Sequence, residues 1–190
     1  MILPYLIFAH LLGDFIFQPT KLVLWKSKSK LGTLTHSLIH FFVVTLVLSP
    51  FIFNGHWELL LVAFGLAFVH FWIDEAKINY DLKHDERVLP FMVDQLMHLI
   101  TIVVAYLLIM GREYTLPEGT FFQVYGDIRL IIFLSFIVFV TTVIEVFRFQ
   151  KDREKHKINR LKINSDKMLS RVIIFSLIYS VFLILSLYVG

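Results

Sequence analysis

The sequence predicts an all-α polytopic membrane protein, a bundle of six transmembrane helices, and three observations carry that expectation. First, the 190-residue chain is 57% hydrophobic and 17% charged, with a mean hydropathy of +0.74, against about 45–50% apolar and about 25% charged residues in an ordinary soluble domain. Second, the apolar residues gather into six runs near the roughly 20 residues that cross a bilayer. Third, lysine and arginine alternate from loop to loop. Phenylalanine contributes 20 residues, which suits lipid-facing and interhelical packing. The whole chain, 1–190, reads as one transmembrane domain.

The first run covers about residues 2–18 and stops at Pro19. The second covers about 34–53, with Pro50 expected to break it near its end, and the third covers about 59–78. The fourth, fifth and sixth cover about 89–110, 130–149 and 169–189. Between the first two lie Lys21, Lys26, Lys28 and Lys30, whereas the stretch from Pro50 to Trp57 has no lysine or arginine. The next loop brings Lys77, Lys83 and Arg87, and the one after it, Gly111 to Asp127, has only Arg112. Arg148 to Lys167 is strongly basic again.

Because cytoplasmic loops hold the excess of lysine and arginine, the first, third and fifth loops are expected in the cytoplasm and both termini outside. This is the pattern of a multi-pass membrane protein. Lys21 to Leu31 mixes spaced lysines with Leu22, Val23, Leu24 and Trp25, a composition for lying along the inner leaflet. Arg148 to Lys167 suits a helical extension or a contact with anionic lipid. No cleavable signal peptide is expected, because the first apolar run lacks a basic start and carries His10 and Asp14.

Four polar pairs interrupt the first four runs: His10 with Asp14, His36 with His40, His70 with Asp74, and Asp94 with His98. In a helix, residues four apart point the same way with Cβ atoms about 5–6 Å apart, so each pair can offer two ligand atoms to one ion. With the helices alternating in direction, all four pairs fall at a similar cytoplasmic depth. Ionised aspartate is costly within a bilayer and marks function by default, and a bound dication would relieve three such groups at once. These eight residues are therefore expected to hold two divalent ions. The chain has no cysteine, so thiolate sites, iron–sulfur clusters and disulfides are excluded, and imidazole with carboxylate suits zinc, manganese or iron.

Polar neighbours extend the site. Gln18 follows His10 by two turns near the face of Asp14, and Glu75 beside Asp74 is either a general base or a solvated helix-end charge. These two are the candidate catalytic residues. Lys77 shares a face with His70 and could meet a phosphate or merely set topology, and Gln95 is expected to point about 100° away from Asp94. Glu145 is within reach of Arg148. His56, His84 and His156 fall in loops and are left outside the site.

The opening H-L-L-G-D-F-x-x-Q from His10 to Gln18, with H-x-x-x-H at His36, H-x-x-x-D at His70 and D-x-x-x-H at Asp94, resembles a bacterial membrane family, domain of unknown function 3307, over roughly the first 110 residues. The resemblance brings no activity with it. More loosely, the polar pairs are similar to those of YdjM-type inner-membrane metal-dependent hydrolases. The expected function is thus a metal-dependent hydrolase acting on a lipid-linked phosphoester at the cytoplasmic face. A non-haem di-iron lipid oxidase and a metal-ion or proton transporter are the alternatives. The expected partners are membrane lipids and such a lipid-linked substrate, with no nucleic acid. Helices five and six are free to pack a homo-oligomer.

Overall fold

The computed structural model describes residues 1–156 and 165–189, and these form helices joined by short turns. The order is α1 (Leu3–Leu11), a π-helical turn (Leu12–Ile16), α2 (Thr20–Lys26), α3 (Lys30–Phe53), α4 (Glu58–Asp81), α5 (Val88–Ile109), α6 (Thr120–Tyr125), α7 (Ile128–Val138), a second π turn (Phe139–Val143), α8 (Ile144–His156) and α9 (Ser165–Val189). Four helices are long and apolar enough to cross a membrane: α3, α4, α5 and the continuous rod Ile128–His156 formed by α7 and α8. A fifth span is reached if α1 and α2 count as one broken crossing, bent by 89°. The basic stretch from 157 to 164 lies outside the described residues.

Local chemistry places the ends. Pro19 has extended backbone and stops the first helix, since its ring leaves no N–H for an i−4 bond. The expected loop after it instead holds α2 and the first turn of α3. Ser29 caps α3 by accepting from the Leu31 N–H at 3.2 Å, which starts the helix ahead of the apolar run. Gly55 turns α3 into α4 with φ of 103°. The loop after α5, Gly111 to Asp127, contains a short helix, α6.

The break expected at Pro50 does not occur, and α3 runs through it to Phe53. The missing N–H of Pro50 would have bonded the Leu46 carbonyl. Ser49 Oγ donates to that oxygen at 2.8 Å, the kind of side-chain repair that lets proline sit inside membrane helices.

The helices pack as one bundle: α3 against α4, α4 against α5, and α1 against α3, α5 and α7. Its two halves differ in chemistry. One half is an apolar core of Ile2, Tyr5, Leu6, Val44, Leu48, Phe51, Leu59, Ile102 and Ile109, among others. At that end Tyr5 donates to the Tyr125 carbonyl at 2.6 Å, and Tyr125 in turn donates to the Val47 carbonyl, so α6 closes the bundle. The other half buries His10, His36, His40, His70, Asp74, Asp94 and His98. The outer surface is apolar: Leu46, Phe53, Leu61 and Leu108 are 71–80% exposed. Polar inside and apolar outside is the arrangement a lipid solvent requires, because a charge is tolerated only where it faces the bundle interior.

At the polar end, Glu154 of α8 accepts from the N–H groups of Arg87 and Val88 at 2.7 and 2.8 Å, capping α5. Arg171 of α9 donates to the Val140 carbonyl within the second π turn at 2.8 Å and pairs with Glu145. Glu145 also meets Arg148 at 3.4 Å.

Ser49→Ala is expected to destabilise the protein by about 0.5–1 kcal/mol by orphaning the Leu46 carbonyl. The double variant Ser49→Ala/Pro50→Ala, which restores the backbone donor, should recover that loss in thermal unfolding measured in detergent.

Candidate metal centre

Four helices deliver the polar cluster. α1 and its π turn bring His10 and Asp14 at their C-terminal end, α3 brings His36 and His40 in its first half, α4 brings His70 and Asp74 in its second half, and α5 brings Asp94 and His98 near its start. Successive spans alternate in direction, so the four pairs arrive at one level. The π turn widens α1 by one residue per turn, a distortion frequent at functional sites. It leaves Asp14 Oδ2 3.7 Å from His10 Nε2.

Asp14 is the hub. Its Oδ1 lies 2.9 Å from His40 Nε2, 3.1 Å from His36 Nε2 and 3.5 Å from His70 Nε2. Its Oδ2 accepts from the Gln95 amide at 3.0 Å. Asp74 is the second anchor, with Oδ2 3.5 Å from His70 Nε2 and 3.7 Å from His36 Nε2, and Oδ1 3.9 Å from His98 Nε2. Asp94 Oδ1 is 3.5 Å from His98 Nε2. The imidazoles stack in a row, His40 on His70 at 3.7 Å and His70 on His98 at 4.0 Å between ring centres.

The eight side chains fall into three overlapping groups in which one ligand atom per residue lies within 4.8 Å of the others: His10, Asp14, His40 and His70; His36, His70 and Asp74; Asp74, Asp94 and His98. Buried groups of this composition can hold a metal ion. Two further observations test the fit. The Nε2 atoms of His10, His70 and His98 and Oδ1 of Asp94 are buried without a hydrogen-bond partner among the described residues, although buried polar atoms are nearly always paired. In addition, His10, His40, His70 and His98 line one side of a cavity of about 20 Å³ whose other wall is Leu6, Val44, Leu66, Thr101 and Ile102, room for one small occupant. The donor set and the space both suit a cation.

The neighbouring residues sort less as expected. The Gln18 amide donates to His36 Nε2 at 2.6 Å, so it touches the cluster from beyond the π turn. Glu75 is buried at 9% exposure, which removes the solvated helix-end reading, and it lies outside the three groups. Gln95 does not point away: its amide bridges Asp14 and Asp94, at 3.0 and 3.1 Å, because three side-chain torsions carry the amide back around α5. Lys77 pairs with Asp81 at 3.1 Å and lines a groove with Asp94. His56 accepts from the Thr115 N–H, and His84 stacks on Tyr80, both away from the cluster.

Two positions at the cluster escaped the sequence reading. Lys26, counted there as a topology charge, is buried, and its Nζ donates to Asp74 Oδ2 at 2.5 Å. Gly13 packs so closely on α3 that a Cβ there would collide with the His40 ring. Its place between His10 and Asp14 in an apolar helix, where glycine costs about 1 kcal/mol relative to alanine, was the available signal.

A family model described as "Protein of unknown function (DUF3307)" matches residues 2–124. The chain belongs to the DUF3307 family. The DUF3307 match takes in α1 to nearly the end of α6, and with them all eight cluster residues, Gln18, Lys26, Glu75 and Gln95; α7 to α9 lie beyond it. No curated protein and no solved structure matches the chain.

Gly13→Ala should push the His40 ring off Asp14 and weaken zinc binding at least about tenfold, the scale at which misplaced ligand support acts, as read by competition with a chromogenic chelator. Gly65→Ala, where nothing lies within 4 Å of an added Cβ, serves as the control and should leave binding unchanged.

Proposed function

We propose that the chain is a membrane-embedded metal-dependent hydrolase that acts on a lipid-linked phosphoester at the cytoplasmic face of a bacterial inner membrane. The observation that carries this reading is the set of three overlapping His/Asp groups with unpaired inward-facing atoms, buried at one end of an apolar-faced bundle. The same end holds Lys26 of α2, Lys77 and Arg87. With α1 and α9 each taken as a crossing, the chain makes six spans with both termini outside.

The ligand set suits Zn²⁺, Mn²⁺ or Fe²⁺. A divalent cation bound there would polarise a phosphoryl oxygen and make water more acidic. His10, Asp14, His40 and His70 would hold it, with His36, Asp74, Asp94 and His98 completing the surroundings. Gln95 fixes the carboxylates of Asp14 and Asp94, and Gln18 fixes the His36 ring. Glu75, buried beside Asp74 and hydrogen-bonded to none of the described residues, is the carboxylate left to accept a proton from water.

A groove of about 360 Å³ supports the lipid substrate. Ile73, Ala76, Leu89, Pro90, Val93 and Met97 line it, with Tyr80, Lys77 and Asp94 as its polar edge. Pockets of this size and make-up take small ligands. An acyl or prenyl chain fits the apolar wall, while the Lys77 ammonium complements a phosphate beside Asp94. Transit of an ion across the bundle is less well supported, because the half beyond the cluster is filled by apolar side chains from Leu6 to Ile109.

The decisive measurement is release of phosphate from polyprenyl phosphate or phosphatidate in mixed micelles by the purified full-length protein. Wild type should turn over, and chelation should abolish it. His40→Ala should lose both bound metal and turnover. Turnover that survives chelation, or full metal occupancy in His40→Ala, would overturn the proposal.

A further inference from the structure

The three ligand groups are not independent. Asp74 belongs to two of them, and only the group His10, Asp14, His40 and His70 does without it. Asp74 is also the carboxylate that Lys26 holds at 2.5 Å, with side-chain exposures of 9% for the lysine and 7% for the aspartate. We propose that Lys26 is a built-in second cation, which occupies the carboxylate that both remaining groups need and limits the resting centre to one divalent ion, held by His10, Asp14, His40 and His70. The inference rests on reading the cluster as a metal centre.

Charge balance supports the single ion. Asp14, Asp74 and Asp94 bring three negative charges to the ligand groups. One ammonium and one dication cancel them, whereas a second dication added with Lys26 in place would leave two positive charges on these groups, with Glu75 a further buried carboxylate beside them. Buried charge without a partner is strongly disfavoured, more so within a membrane. The cavity of about 20 Å³, lined by His10, His40 and His70 of the proposed ligands and by His98, admits one occupant.

The fold is built to deliver this lysine. Lys26 is the last residue of α2, and α2 buries only Leu22 and Lys26. A Cβ at Gly32 would collide with backbone atoms of Trp25 and Lys26, so the glycine lets the end of α2 seat directly against α3. From there the four-carbon stem of Lys26 reaches Asp74. An interfacial helix that served topology alone would have no reason to send its lysine inward.

The test is metal stoichiometry by elemental analysis of full-length protein in detergent, loaded with excess zinc and desalted. Wild type should retain one equivalent. Lys26→Met, which keeps length and removes charge, should free Asp74 and retain two, whereas Lys26→Arg should remain at one. Asp74→Asn should still retain one, because the resident ion does not use Asp74. Two equivalents in wild type or Lys26→Arg, one equivalent in Lys26→Met, or no zinc in Asp74→Asn would each overturn the assignment while leaving a metal centre in place. No zinc in wild type would overturn the metal reading itself, and with it the hydrolase proposal. If Lys26→Met does not fold, the Lys26→Arg and Asp74→Asn outcomes decide.

Discussion

Three carboxylates buried among four helices set the terms for everything around them. Asp14, Asp74 and Asp94 cannot be left bare in an apolar-faced bundle, since removing one partner of a buried charge costs about 3–5 kcal/mol. Each feature of the polar half answers that demand. Imidazoles from α1, α3, α4 and α5 crowd the oxygens, Gln95 bridges two of them, and Lys26 enters from α2 to meet the third. Gly13 and Gly32 have no side chain because the approach of helix to helix at these points leaves no room for one.

Much of this was legible because two periodicities act together. The four-residue step places each pair on one helix face, and the alternation of loop charge gives each helix a direction. Direction plus position gives depth, and depth is what brought His10 and His98 to one level, 5.1 Å apart between ring centres. Helix positions followed from apolar run length, with the start of α3 moved by capping at Ser29 and its continuity through Pro50 kept by the Ser49 hydroxyl. Neither is a hydropathy signal.

What was missed involves long side chains and local distortions. Lys26 and Gln95 have several torsions each, and their heads end far from where their Cα positions point. Helical-wheel reasoning fixes a Cβ direction and nothing beyond it. The π turn at Leu12–Ile16 has no compositional marker, yet it sets how Asp14 faces His10. The same limit applies to Glu75, whose burial depends on packing between helices rather than on its place along α4.

The reliance of each carboxylate on other helices bears on how the chain enters the bilayer. Asp14 sits on the π turn after α1, but its nearest partners arrive on α3, α4 and α5, and Asp74 waits for nothing later than α5 while using a lysine made 48 residues before it. Threaded one at a time into lipid, these helices would each expose a charge with no counterpart. Insertion of these helices as a group would avoid that penalty. Asp14 and Asp74 thus tie the helices of the first half of this chain to one another, since each finds partners on a helix other than its own.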